Sequence, residues 1–342
     1  ASGHPQAMPG DVTQGKSVRV EQRPCLERPE SLLPDIAAAL KAGARVLVVL
    51  NTVGRAIALH KQAEADPDIK PHLFQCAGVI APHHGRFAPV DRELLDAAVT
   101  ATLGKHSAPS PFGGERSEGA VLLIGTQTLE QSLDIDADLL ITGLCPMDVL
   151  LQRIGRLQRH RDRPRPPGFA EARCLLLVPE TDDLAGLLDG RGIANGTAKR
   201  AGLGSVYPDM RVLQLTRDLL AEQPDIEIPR DNRRLVEGAT HSAKLSTLTG
   251  ERWDKHGQEV EGGDLAKSIR AHFVGLAQLY RLPFGDVECQ FRDNEEAKTR
   301  LGLDALRVPL SETVTSPFGQ SLTEIAIPGH LADKTATAVQ AE

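Results

Sequence analysis

Aromatic side chains are scarce in this sequence, with one Trp, two Tyr and eight Phe among 342 residues. So thin a supply disfavours a platform of rings on which successive bases would stack. Long apolar runs are missing as well: no stretch of about 18 apolar residues reads as a membrane span, and the first residues form no apolar signal segment. Cys25, Cys76, Cys145, Cys174 and Cys289 lie far apart without a CxxC pair. That distribution argues against a zinc or disulfide framework, and fits reduced, packed thiols in a cytoplasmic protein. Positive charge is not in excess either. The formal net charge is −7, so any contact with nucleic acid has to be local.

One segment meets that condition. Arg153, Arg156, Arg159, Arg161, Arg163 and Arg165 crowd together against the sign of the whole chain. A solvated, charged helix end is the plain alternative for such a run.

The length suffices for two or three domains, each with its own core. Residues 1–30, rich in Gly, Pro and Gln, read as an entry segment or inter-lobe linker. Beyond Ser31, apolar runs at Arg45–Leu50, Cys76–Ala81, Ala120–Ile124, Asp138–Thr142 and Arg173–Val178 alternate with helical patterns at Val53–Ala65, Asp91–Leu103 and Asp148–Arg159. Near-continuous apolar strands separated by helices predict an α/β domain over residues 31–180, a doubly wound parallel sheet covered on both faces. Residues 107–119 read as a surface loop. After Val178 the alternation fails. Residues 181–262 read as a helical linker region, with a helix near Met210–Ala221, and residues 263–342 as a smaller mixed α+β accessory domain. The latter has a helical pattern at Leu265–Tyr280 and short strands over 305–327.

Gly10 to Ser17 satisfy the GxxxxGK[ST] phosphate-loop pattern. The context does not: no apolar strand precedes it, and the chain after Ser17 continues extended to Pro24 rather than opening a helix. No Asp-Glu pair follows an apolar strand, so the carboxylates that would hold magnesium in a complete NTPase are absent from the reading.

Three segments carry chemistry. In Leu150–Arg159, read as helical, Gln152, Arg156 and Arg159 fall at i, i+4 and i+7 and form a polar stripe opposite Leu150, Ile154 and Leu157. Gly155, a costly residue in mid-helix, implies a close approach by another group. Two arginines on one face can neutralise phosphate charge in a transition state; a solvated amphipathic helix is the alternative. In Leu122–Asp136, a buried strand ends in Gly-Thr-Gln, where ligands of doubly wound folds gather. Thr126 and Gln127 offer hydroxyl and amide groups to a phosphate backbone, or Thr126 caps a helix. Asp134 accepts from a ribose or orients an arginine, whereas Asp136 and Asp138 read as structural. In Val46–Gly54, Asn51 and Thr52 cap the next helix and leave backbone donors for a phosphate. Arg86, in His84–Phe87, is placed to meet a phosphate. His83 and His84 have no spaced carboxylate cluster and read as loop residues, so no metal site is expected.

In chain order, Val46–Thr52, His84–Phe87, Gly125–Asp136 and Gln152-x-x-Gly-Arg-x-x-Arg159 resemble motifs IV, IVa, V and VI of superfamily-two helicases. The longer strings Gly125–Asp136 and Leu144–His160 resemble the CRISPR-associated helicase-nuclease of type I interference over residues 31–180. The resemblance implies two RecA-like lobes that close on ATP and move 3'-to-5' along single-stranded DNA, with an HD nuclease domain. It implies that this chain supplies the second lobe plus C-terminal domain. ATP and Mg would then be bound mainly by the first lobe, and the partners would be that lobe, the HD nuclease domain, single-stranded DNA and a CRISPR effector complex. Arg159 and Arg156 would reach the ATP phosphates and Gln152 would order that site, beside Asp134 and Gly155. Thr126, Gln127, Asn51, Thr52 and Arg86 would track the DNA backbone. Two other readings stay open: a non-catalytic DNA-binding adaptor, and a self-sufficient phosphate-loop NTPase using Gly10 to Ser17.

Overall fold

A computed structural model describes residues 15–105, 119–130, 133–160, 162–263, 265 and 306–327. In chain order the elements are β1 (Lys16–Arg23), α1 (Leu33–Lys41), β2 (Arg45–Val49), α2 (Val53–Ala65), β3 (Gln75–Cys76), β4 (Val79–Ile80), α3 (Pro89–Leu103), β5 (Val121–Gly125), β6 (Leu139–Gly143), α4 (Met147–Ile154) and β7 (Ala172–Leu177). They continue with α5 (Gly196–Arg200), α6 (Met210–Glu222), β8 (Asp225–Ile228), α7 (Asn232–Thr240), α8 (Ser242–Leu245), helical residues 251–263, and the pair β9 (Leu306–Thr315) and β10 (Ser321–Ile327).

Six strands form one sheet in the order β5-β2-β6-β7-β1-β8, all parallel except β8, which runs antiparallel to β1. The three strands on the β5 side are buried along their whole length and apolar except at Arg45 and Thr142. A strand covered on both faces tolerates no polar alternation, so the runs Arg45–Val49, Val121–Gly125 and Leu139–Gly143 are near-continuous. Leu47 pairs with Leu123 on one side and Leu140 on the other. Each such side chain, fully removed from water, contributes about 1.5–3 kcal/mol. The doubly wound α/β expectation holds, with a separate antiparallel pair near the C-terminus.

The sheet is wider than residues 31–180. Lys16–Arg23, read from sequence within an entry segment, is a strand between β7 and β8, with Val18 and Val20 buried in the core. Residues 225–228, inside the expected helical linker, form the edge strand. Conversely, Cys76–Ala81 is no strand of this sheet: β3 and β4 make a two-residue hairpin of their own. The expected helix at Leu265–Tyr280 and the loop at 107–119 lie almost wholly outside the described residues. Cys76, Cys145 and Cys174 are buried and Cys25 half-buried, all as free thiols; burial pushes the Cys145 thiol up to about 12. Cys289 lies outside the described residues.

Candidate functional site

Because β5, β2 and β6 are parallel, the carboxyl ends of β2, β5 and β6 share one edge of the sheet, the edge at which ligands of such folds gather. The segment from Gly125 to Leu139 leaves β5 at that edge and enters β6 at the opposite one. It therefore runs the length of the sheet. Helix α4 makes the same journey, starting at Met147, four residues after Gly143, and running for eight residues, about 12 Å. The two segments meet at the amino edge, where Leu157 bridges Ala137.

The helix ends sooner than its periodicity predicts. It stops at Ile154, so Arg156 and Arg159 do not share a helical stripe with Gln152. Gly155 is a C-cap rather than a mid-helix residue, and its N–H still reaches Leu151 O at 2.9 Å. The apolar side of the segment is as expected, with Leu150, Ile154 and Leu157 buried. Leu157 achieves this through the bridge, after which Gln158 takes φ +43°, a region that side-chain-bearing residues seldom enter.

This turn presents its two arginines differently. Arg156 donates to Leu133 O at 2.5 Å and Glu130 O at 2.6 Å, which ties the turn to the crossing segment. Burial pulls its pKa down. Arg159 has a side chain 44 % exposed, and its Nε lies 3.3 Å from Oδ1 of Asp134. The same Oδ1 meets the His160 ring at 2.7 Å, and Oδ2 accepts from the Lys105 N–H at 2.8 Å. Burial pushes the Asp134 carboxyl up, but the Lys105 N–H, His160 and Arg159 together hold it below the usual carboxylate range. Of the two partners expected for Asp134, a ribose or an arginine, the arginine is its neighbour here. Gln152 is exposed one turn earlier.

The other clustered arginines are internal. Arg163 and Arg165 both bridge Asp136 and Asp138, at 2.6–3.1 Å, across carboxylates that are almost fully buried. Burial raises the Asp136 carboxyl and the two guanidiniums more than offset it, leaving it below its ordinary value. Arg153 is fully buried. It binds Glu130 at 2.6 Å and donates to Thr142 Oγ1, Asn51 Oδ1, Gly143 O and the Tyr207 hydroxyl. The run of arginines is thus mostly scaffold, and among its described members only Arg159 is exposed.

At the carboxyl edge, Asn51 and Thr126 are buried. The Asn51 amide donates to Leu144 O and Ala201 O while its oxygen accepts from Arg153. Its side chain is turned inward, contrary to the expectation of a DNA contact. Gly202, at φ +87°, allows the Ala201 segment to close on it, since an added Cβ would stand 2.6 Å from Asn51 Cβ. Thr52 caps α2 as expected, accepting from the Arg55 N–H, and Thr126 precedes a short 3₁₀ turn without a side-chain cap bond. Gln127 donates to Asn51 O at 2.7 Å. Thr52 and Gln127 remain half-buried and Arg86 exposed. His83, read as a loop residue, pairs in the backbone with Gly125, and its ring bridges Thr128 and Asp96 at 2.8 and 2.7 Å. Only glycine suits that approach, because a Cβ on Gly125 would lie 2.4 Å from His83 O.

The described end of the phosphate-loop pattern is strand. Residues 10–14 lie outside the described residues, Lys16 opens β1, and its ammonium donates to backbone carbonyls of Ile154 and Leu157. Among the described residues no group of three or more His, Cys, Asp or Glu is arranged to hold a metal ion. The carboxylates nearest the arginine turn are already paired with cations, so they do not fit a magnesium site. Nor, among the described residues, is any helix long and apolar enough to cross a membrane.

A family model for the CRISPR-associated nuclease/helicase Cas3, C-terminal, matches residues 42–162, which take in Asn51, the crossing segment and the arginine turn. Over that segment the chain is similar to the C-terminal region of the Cas3 helicase. The Cas3 endonuclease/helicase of Escherichia coli K12 is 27 % identical over 305 residues, 86 % of this chain and 29 % of the relative. That of Thermus thermophilus is 40 % identical over 154 residues, 45 % of this chain and 14 % of the relative. A crystal structure of T. fusca Cas3 with ADP superposes with a TM-score of 0.64 at 26 % identity, over 88 % of this chain and 32 % of that one. The chain therefore spans under a third of these Cas3 relatives. Glu130, Arg153 and His160, which the sequence pattern did not single out as site residues, all fall within the matched Cas3 segment.

Proposed function

We propose that this chain is the second motor lobe of an ATP-dependent single-stranded DNA translocase or helicase of type I CRISPR interference, inactive without a first lobe. The observation that carries the reading is Arg159: an exposed guanidinium on a braced turn, held by one carboxylate and otherwise open to a partner surface. Closure against an ATP-binding lobe would bring it to the transferred phosphoryl group. There it would stabilise charge that develops only in the transition state, as arginine fingers do. Arg156, tied to two carbonyls, would brace the finger, and exposed Gln152 and Gly155 would border the nucleotide. ATP with Mg would be bound mainly by the first lobe, whose metal supplies further charge neutralisation.

Thr52, Gln127 and Arg86, at or beside the carboxyl edge, would track the DNA backbone with the backbone N–H groups around Asn51 and Thr126. Such phosphate contacts give sequence-independent, salt-sensitive binding. An HD nuclease domain and a CRISPR effector complex would be partners in the cytoplasm. The test is ATP hydrolysis by this chain alone and mixed with a separately expressed ATP-binding lobe, with and without single-stranded DNA. DNA-stimulated turnover only in the mixture supports the reading. Turnover by the chain alone overturns it, and a mixture that binds DNA but does not turn over leaves a binding adaptor.

A further inference from the structure

Lys16 belongs to the Gly10–Ser17 pattern and stands at the start of a strand, yet it is not an ordinary strand residue. As the first residue of β1 it pairs with Ile228, and its ammonium crosses to α4, donating to Ile154 O at 2.8 Å and Leu157 O at 2.5 Å. Ile154 is the last residue of that helix. Carbonyls at a helix C-terminus lack intrahelical partners and sit at the negative end of the dipole, so a lysine ammonium suits them in both hydrogen bonding and charge.

The two acceptors bracket the turn that bears Arg156. Directly after the second comes Gln158 at φ +43°. A side-chain-bearing residue stays in that region only where its surroundings over-determine it. Three devices do so here. The Gln158 N–H donates to Ala137 O at 2.8 Å, its side-chain amide donates to Phe169 O at 2.7 Å, and Lys16 pins the carbonyl of the preceding residue. The left-handed step then sets the direction in which Arg159 leaves the turn, beside Asp134.

We infer that Lys16 is a positioning residue for Arg159, acting from the neighbouring strand through the backbone of the arginine turn. The inference rests on the arginine-finger reading above. Two measurements separate them: amide hydrogen exchange on the 342-residue chain, and steady-state ATP turnover after assembly with the ATP-binding lobe. In Lys16→Met, the Leu157 and Gln158 amides should exchange about fivefold faster or more, the scale of losing charge-assisted hydrogen bonds, with the amides of β2 and β5 unchanged. The kcat should fall by a similar factor at unchanged KM for ATP, and Lys16→Arg should restore part of both.

Unchanged exchange at Leu157 and Gln158 overturns the inference. So does faster exchange with normal kcat in a motor that Arg159→Ala disables. If Arg159→Ala itself leaves turnover intact, the finger reading falls and the role of Lys16 falls with it, whatever the exchange rates. Should Lys16→Met not fold, Lys16→Gln, which keeps one donor group and drops the charge, goes through the same pair of measurements.

Discussion

Asp134 holds Arg159, the one exposed arginine in the described part of the arginine-rich segment, its Oδ1 lying 3.3 Å from the guanidinium Nε. An unrestrained arginine would have to be ordered at the moment of reaction; one already tethered is ordered in advance. Asp134→Asn should therefore leave nucleotide binding to the assembled motor intact and lower kcat by up to about a hundredfold, the scale on which a misplacement of about 1 Å acts. Steady-state kinetics at saturating ATP check this, and a normal kcat would assign Asp134 to scaffold alone.

A second prediction concerns Arg153 and Glu130, 2.6 Å apart and both buried. Burial pushes the Glu130 carboxyl up, and the arginine opposes that rise. Arg153→Met strands the carboxylate without its cation, which should cost roughly 3–5 kcal/mol. Replacing both members with apolar residues should cost less than that single change. Urea unfolding of the two single variants and the double variant gives the coupling directly.

Acid sensitivity follows from Asp136. Its carboxyl, held below the ordinary value of 3.8 by Arg165 and Arg163 against the opposing effect of burial, contributes stability that is present in full above the unfolded-state value. That stability is lost as the pH falls through the lower, folded-state value. Urea midpoints between about pH 7 and about pH 3 should drop on acidification, more shallowly in Asp136→Asn, which should also be weaker at neutral pH. Equal slopes for the two proteins would place the acid sensitivity elsewhere.

The turn between β9 and β10 is docked by one ring and one hydroxyl. Phe318, 6 % exposed, lies 5.6 Å from Phe87, which stacks on His84 at 4.4 Å, and Ser316 Oγ donates to Asp91 at 2.7 Å. Phe318→Ala should release the hairpin without unfolding the sheet. Limited proteolysis should cut between residues 306 and 327 faster, while the main unfolding midpoint stays within the range of a surface change, about 0.5 kcal/mol.

The central sheet was legible because burial on both faces leaves a plain mark, the near-continuous apolar runs at β2, β5 and β6. Thr52 was legible as a cap from its place before a periodic stretch. β1 was not. Its only apolar pair, Val18 and Val20, makes an alternation too short to stand out beside a phosphate-loop pattern and a following proline. The end of α4 was misjudged because Leu157 is buried at the spacing a helix would give, but by a strand-like bridge to Ala137.

Arg153 did leave a signal. It shares the i, i+3, i+4 face of Leu150 and Ile154, so an arginine there had to find a buried acid, and Glu130 stands in the crossing segment. The inward turn of Asn51 left none. Its partners Leu144 and Ala201 lie 93 and 150 residues away in sequence, and only the fold brings them together.

The role given to Arg159 stands or falls on Arg159→Ala in the assembled, DNA-stimulated motor, with kcat and nucleotide affinity determined separately. The expected result is a fall in kcat on the order of 10³-fold or more, with nucleotide affinity retained. Turnover within about twofold of the unsubstituted motor would contradict it.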